Sequence, residues 1–393
     1  MNFFIADVQT GFGTFVAFYL AQLSWSRSDV GLVLTIGGLA GVLSQIPGGA
    51  LSDAVTWKRS LVALGIVMIG AAALLLAFVP SFVSVLFAEL LHGATAGIIT
   101  PAIAAISLGL VGRRAMSLRT GRNYRYAAGG HAATALMMGL AGAYFSVGAM
   151  FVAAALLCIP ALIALGFIRP NEIDHAVARN AATGKQAGKL TRVLDLAKNR
   201  GLLLFAASLV LFQLADASML PLVGENLAAT VQAKTSGVQA SIWMSGLIIV
   251  PQIVVAILAP WVGYHSEKKG RRPLLLIGFA LEPVRAALIA FTGGYSFLVA
   301  AQVLDGVTGA IISVLTVLVI ADLTAGTGRF NLAHGAIGAT NGIAASISTL
   351  FTGYFFEGFG SRNGFIAIAV IAGAATALIW RFLSETRPAH YED

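Results

Sequence analysis

Apolar segments of about 20 residues, each long enough to cross a bilayer, recur along the chain between short polar turns. Six run near residues 3–23, 30–51, 61–79, 82–108, 124–145 and 149–168, and six more near 202–225, 238–264, 273–291, 297–321, 331–356 and 363–382. The polar interval 169–200, rich in Ala, Lys and Asn, separates the two sets and reads as a cytoplasmic linker. The pattern predicts an all-α polytopic membrane protein of 12 transmembrane helices, divided into a six-helix bundle over 1–168 and another over 201–393.

The halves repeat one another. Ile5-Ala-Asp7 matches Leu214-Ala-Asp216, Glu89-Leu-Leu-His-Gly93 matches Gln302-Val-Leu-Asp-Gly306, and Arg122-Asn123 resembles Arg329-Phe-Asn331, all at offsets near 210 residues. Parallel repeats of this kind are related by an axis along the membrane normal. Asp216 stands well inside its span while Asp7 lies almost at the chain start, so a start site placed too far downstream is expected.

Composition agrees with the pattern. The 393 residues are 58% hydrophobic and 11% charged, against about 25% charged in soluble domains, and the mean hydropathy is +0.86. Many of the 44 glycines fall in pairs on one helix face, such as Gly37 with Gly41 and Gly93 with Gly97, spacing that lets membrane helices approach closely. The single cysteine, Cys158, lies in an apolar run and reads as a packing residue; no thiol metal cluster or disulfide framework follows. The net charge of +8 does not call for nucleic acid, because the cations sit in turns between spans. Outside the spans, only Arg27, Lys234 and Arg362 fall on the side opposite the other Lys and Arg residues. That bias places both termini in the cytoplasm. Trp25, Trp57, Trp261 and Trp380 fall at span ends, as an aromatic belt requires.

The sharpest motif is Gly263-Tyr-His-Ser-Glu-Lys-Lys-Gly-Arg-Arg272, a charged turn between spans 8 and 9. A weaker copy, Gly49-Ala-Leu-Ser-Asp-Ala-Val-Thr-Trp-Lys58, joins spans 2 and 3; Gly49 answers Gly263, Asp53 answers Glu267, and Lys58 answers Arg272. Two six-span halves with this turn repeated resemble the major facilitator superfamily over essentially the whole chain. In the 8–9 copy Glu267, Lys268, Gly270, Arg271 and Arg272 follow the family pattern; the 2–3 copy has Ala54, Thr56 and Trp57 where the family often has a cation, Gly and another cation. The resemblance implies alternating access, with Asp53 and Glu267 locking the cytoplasmic side through contacts to helix termini and to Arg. Carboxylates do favour helix N-termini. Two family signals of drug/proton antiporters fail: Glu89 stands where they carry Arg, and the Gly-rich fifth span has no Gly-Pro pair.

Ionisable groups inside spans are costly and invite a functional explanation. Asp7 and Gln9 on span 1 mirror Asp216 on span 7; Glu89 and His92 share one face of span 4, and Gln302 and Asp305 occupy the matching places on span 10. Spans 1, 4, 7 and 10 line the cavity in the resembled family, which gives this cavity four carboxylates, an imidazole and no Arg. Burial among like charges favours the protonated carboxyl, so Glu89 and Asp216 are expected as proton or cation sites, with Asp7, Gln9, His92, Gln302 and Asp305 as substrate contacts or modulators. Glu282-Pro-Val-Arg285 on span 9 reads as a local ion pair at a Pro283 kink, and His131 as structural.

The expected function is secondary active transport of a small organic solute, proton-coupled, at the plasma membrane, by a monomer. An acidic cavity favours a cationic or neutral compound, and export is preferred although no residue decides direction; a proton-coupled importer of a nutrient or siderophore-like solute is the alternative, and a non-transporting sensor on the same scaffold is a further one. The chain contains no H-E-x-x-H, G-x-S-x-G or Walker-type G-x-x-x-x-G-K, motifs of enzymes and nucleotide sites, and neither catalytic residue, metal nor cofactor is expected.

Overall fold

A computed structural model of the chain describes residues 1–10, 16, 19–20, 23–25, 27–144, 148–180, 196, 198–219, 237–291 and 295–387. The described residues are helical, without a sheet. In chain order the helices are α1 (Asn2–Thr10), α2 (Arg27–Ala54), α3 (Lys58–Phe78), α4 (Phe82–Tyr144), α5 (Ala149–Gly166), the short α6 (His175–Ala178), α7 (Arg200–Asp216), α8 (Gly237–Lys269), α9 (Arg271–Phe291), α10 (Tyr295–Leu323), α11 (Phe330–Phe359) and α12 (Ser361–Phe382). Eight of them are long and apolar enough to cross a membrane among the described residues, and one, over Phe82–Thr134, holds spans 4 and 5 together. Expected spans 1 and 7 run partly outside the described residues, as do Lys185, Lys189, Arg192 and Lys234.

Spans 4 and 5 are two helices that meet at a break at Gly112, so the second begins near Arg113, earlier than the 124 expected from sequence. Arg113, Arg114, Ala115, Met116 and Leu118 are good helix formers, and the second helix runs through them from the break at Gly112 (φ 69°, ψ 177°). This backbone region is essentially reserved for glycine and costs about 1–3 kcal/mol for other residues. A Cβ at Gly112 would meet no atom within 4 Å, so the cost is conformational alone. Gly112→Ala is expected to lower stability by that amount in detergent unfolding, with little change in packing.

Proline kinks leave carbonyls without their i+4 donor, and side chains on other helices supply two of them. Pro260 frees the Ala256 carbonyl, which accepts from Arg125 Nε at 3.1 Å. Pro283 frees that of Phe279, which accepts from the Thr376 hydroxyl at 2.8 Å.

The chain forms two compact units. The first comprises Met1–Arg119, Tyr126–Val193 and Thr324–Ala339; the second comprises Thr120–Arg125, Leu194–Leu323 and Thr340–Asp393. In the first, α3 turns Leu61, Ile66, Ile69 and Leu76 inward to pack with Phe151 and Leu165 of α5, and buried Cys158 joins that core. In the second, Ala286 and Ile289 of α9 pack with Phe365, Ile368 and Ala372 of α12. Each unit also takes in a short segment from the other half of the sequence, and glycine makes both joins. A Cβ at Gly49 on α2 would lie 2.2 Å from the Asn331 carbonyl oxygen, and one at Gly335 would lie 2.1 Å from that of Gln45. In the second unit, a Cβ at Gly121 would lie 2.4 Å from the Ala259 oxygen.

Candidate functional site

In the second unit α7, α9 and α10 converge on one guanidinium. Arg285 is 1% exposed, and its Nη1 lies 2.5 Å from Asp305 Oδ1, 3.1 Å from Asp216 Oδ1 and 3.3 Å from Glu282 Oε1. Glu282 Oε2 stands 3.4 Å from the same nitrogen, and Nη2 donates to Gln302 Oε1 at 3.4 Å. The i,i+3 spacing of Glu282 and Arg285 on α9 places both on one helix face. Gln302 and Asp305 share a face of α10 in the same way. Glu282 is fully buried, whereas Asp216 and Asp305 are 29% and 25% exposed, so only those two acids reach beyond the protein interior. Oxygens of the three carboxyl groups lie within 4.8 Å of one another, a spacing that would suit a cation, and the guanidinium fills that role.

This cluster corrects the reading of Arg285 as a pair confined to span 9. The pair with Glu282 exists, but Arg285 also holds the Asp216 and Asp305 that were assigned to a cavity free of Arg. The signal available in the sequence was charge bookkeeping: an in-span Arg needs buried acids, and Glu282 alone cannot use its five N–H donors.

Glu89 stands apart in the first unit. It is buried on α4, and its Oε1 has no hydrogen-bond partner among the described residues. Gly37 on α2 makes room for it, since a Cβ there would fall 2.6 Å from Glu89 Oε2. His92 is half-buried one turn further on. The side chains of Asp7 and Gln9 lie outside the described residues.

The two charged turns are built differently. Asp53 accepts from the backbone N–H (3.3 Å) and side-chain amide (2.7 Å) of Asn331 and from the Leu332 N–H (2.8 Å), capping the start of α11. Lys58, fully buried, donates to the Ser52 carbonyl and to that of Val55 at 2.7 Å, closing the end of α2. In the second turn the buried cation is Arg271, not the Arg272 that matches Lys58 in sequence. It bonds Glu267 at 3.0 Å, Asp322 at 3.2 Å and the Ser266 hydroxyl at 3.2 Å, while Arg272 donates to the Trp380 carbonyl at 2.7 Å. The Ser266 hydroxyl donates in turn to the Gly263 carbonyl at 2.9 Å.

Sequence reasoning missed Asp322 and Glu385. The Glu385 carboxylate accepts from the N–H groups of Arg271 (2.8 Å) and Arg272 (3.1 Å) at the start of α9, and Arg387 donates to the Glu267 carbonyl at 2.7 Å. The segment after α12 therefore straps the turn. Gly270, at φ +88°, is shaped for this, because a Cβ there would fall 2.4 Å from Glu385 Oε2. Glu172, at about the same repeat spacing upstream, was the signal that could have singled out Glu385.

Burial works against ionisation of Glu385, but the backbone donors of Arg271, Arg387, Arg272 and Thr386 outweigh it and hold the carboxyl below its ordinary value. A lowered folded-state value means the strap is fully stabilised above the unfolded carboxyl's pKa of about 4.3. That stabilisation is lost as pH falls through the folded value. Protease access to residues 383–387 should rise in that acid range in the wild type and lose its pH dependence in Glu385→Gln.

An all-helical chain of membrane-spanning length, with acids and an Arg gathered where spans meet and charged turns fixing the ends, is built as a polytopic membrane transporter. The sequence matches the family profile of the Major Facilitator Superfamily over residues 1–252 and 217–393, and the chain belongs to that superfamily. An uncharacterised MFS-type transporter of Mycobacterium tuberculosis is 34% identical over 389 residues, covering 98% of this chain and 92% of the relative. The class B tetracycline resistance protein of Escherichia coli is 31% identical over 136 residues, 35% of this chain and 33% of that protein. A variant of the Escherichia coli fucose:proton symporter shares the fold, with a TM-score of 0.72 at 14% identity over 98% of this chain and 97% of its own. The chain is thus an integral membrane protein of a secondary transport family.

Proposed function

We infer that the protein is a proton-coupled secondary transporter of a small organic solute, and that the Arg285 cluster is its coupling site. One observation carries this reading. Nη1 of Arg285 has two hydrogens, yet oxygens of Asp216, Glu282 and Asp305 all approach it. A proton on one of the acids supplies the missing donor and reduces an excess of buried negative charge that is costly if uncompensated. Partly exposed Asp216 and Asp305 exchange that proton, while Glu282 and Gln302 keep the guanidinium in place. Glu89, buried beside Gly37 with no cation bonded to it among the described residues, serves as a second proton site, and His92, with Asp7 and Gln9, contributes to solute contacts.

Asp53 and Lys58 at one turn, with Gly49 giving the approach, act as the gate on the cytoplasmic side. Glu267, Arg271 and the glycines Gly263 and Gly270 do the same at the other, and Lys268 and Arg272 fix its topology. Both termini lie in the cytoplasm and the membrane is the plasma membrane. Because three carboxyls already engage Arg285, the cluster favours a cationic or neutral solute. Partial similarity to a tetracycline resistance protein supports export.

The test is substrate-dependent proton movement in proteoliposomes, screened with toxic cations, sugars and siderophores. The wild type is expected to couple, and Asp216→Asn and Asp305→Asn to bind solute without moving protons. Wild-type transport indifferent to an imposed pH gradient, or coupling retained in both variants, overturns the reading.

A further inference from the structure

One face of α8 changes character along its length in a way that intramolecular packing does not use. Ile253 and Ile257 are exposed, then Trp261 and Tyr264, then Lys268, at successive three- and four-residue steps. The ring of His265 stacks on Trp261 at 4.0 Å between centroids, and Lys268 Nζ lies 4.5 Å over the Tyr264 ring. Exposed Lys269 follows, and Arg272 ties the turn to the carbonyl of exposed Trp380. Beside Trp380, the Arg381 guanidinium lies 5.5 Å from the Phe382 ring.

The described acids at this end are spent elsewhere. Glu267 and Asp322 bond Arg271, and Glu385 is taken up by backbone N–H groups. Among the described residues the side chains of Lys268, Lys269, Arg272 and Arg381 pair with no carboxylate, which leaves an excess of positive charge at the level where the exposed face turns from aliphatic to aromatic. Aromatic rings of this kind sit at headgroup depth, and cations just beyond them attract anionic lipid.

We propose that the end of α8 and the turn after it form a binding site for an anionic phospholipid of the adjacent leaflet. Its acyl chains lie along Ile253 and Ile257, its glycerol region lies against Trp261 and Tyr264, and its phosphate is held by Lys268 and Lys269. Two features select a lipid over a free anion: the apolar stripe leading into the cations, and the aromatic pair between them. The site is separate from the Arg285 cluster and does not depend on proton coupling.

The experiment is native mass spectrometry of the full chain purified in detergent with equal phosphatidylglycerol and phosphatidylcholine, with and without inorganic phosphate. The wild type is expected to retain phosphatidylglycerol preferentially. That preference should fall about fivefold for each charge removed in Lys268→Gln and in Lys268→Gln/Lys269→Gln, with phosphatidylcholine adducts unchanged. Trp261→Ala, which leaves the charges intact, should lower retention of both lipids. Equal retention of the two lipids by the wild type, a preference unchanged in the double variant, or displacement by millimolar phosphate would each overturn the proposal, the last by identifying a free-anion site.

Discussion

Replacing Arg285 by Gln is expected to abolish transport and to cost about 3–5 kcal/mol of stability, the usual consequence of removing one partner from a buried ionic cluster. Three carboxyl groups within 4.8 Å of one another would lose their only cation among the described residues, and α7, α9 and α10 would lose the group that joins them. The measurement is the unfolding midpoint in detergent alongside solute flux in vesicles. The double variant Arg285→Gln/Glu282→Gln removes the fully buried acid as well, and should recover most of the stability without recovering flux. An Arg285→Gln protein as stable as the wild type would mean that the cluster does not hold these helices together.

The second large effect is expected at Asp53. Its carboxylate receives two backbone N–H groups and one side-chain amide at the start of α11, and Asp53→Ala leaves them without an acceptor. A lost acceptor at a buried site costs about 1–3 kcal/mol, and 2 kcal/mol shifts a two-state equilibrium about thirtyfold. The shift should favour the state in which α2 and α11 have parted. Thiol labelling at Gln45→Cys, in a Cys158→Ser background, reads it: Gln45 is half-buried against Gly335 and Gly338, so labelling should accelerate in Asp53→Ala. Equal labelling rates in Asp53→Ala and its parent would remove Asp53 from the gate.

The contrast between the two turns bears on how far a repeat in sequence predicts a repeat in role. Gly49 and Gly263, or Asp53 and Glu267, hold matching places, but Asp53 caps another helix while Glu267 bonds Arg271 one turn away on the same connection. The buried cation also moves by one position, from Lys58 to Arg271. A long flexible ammonium reaches the carbonyls closing α2, whereas a planar guanidinium needs several acceptors around it, and Asp322, Glu267 and Ser266 provide them. The polar groups inside the spans behave likewise: Glu89 and Gln302 are symmetry mates, yet Glu89 faces Gly37 and Gln302 faces Arg285.

The number and order of the spans, their division into two related halves, the family and the charged turns were all readable from the chain alone. Those features follow from local rules: lipid admits only long apolar helices whose backbone groups pair internally, and cations collect in the turns. Three things were decided only by tertiary structure: Arg285 as the hub of Asp216, Glu282 and Asp305, Glu385 reaching back to α9, and Glu89 placed against Gly37. Each depends on which face of a helix meets which neighbour, and in an almost uniformly apolar span hydrophobic periodicity is too weak to fix that face. It is set by packing, above all where Gly37, Gly49, Gly121 and Gly335 let backbones or a side chain come closer than any Cβ would allow.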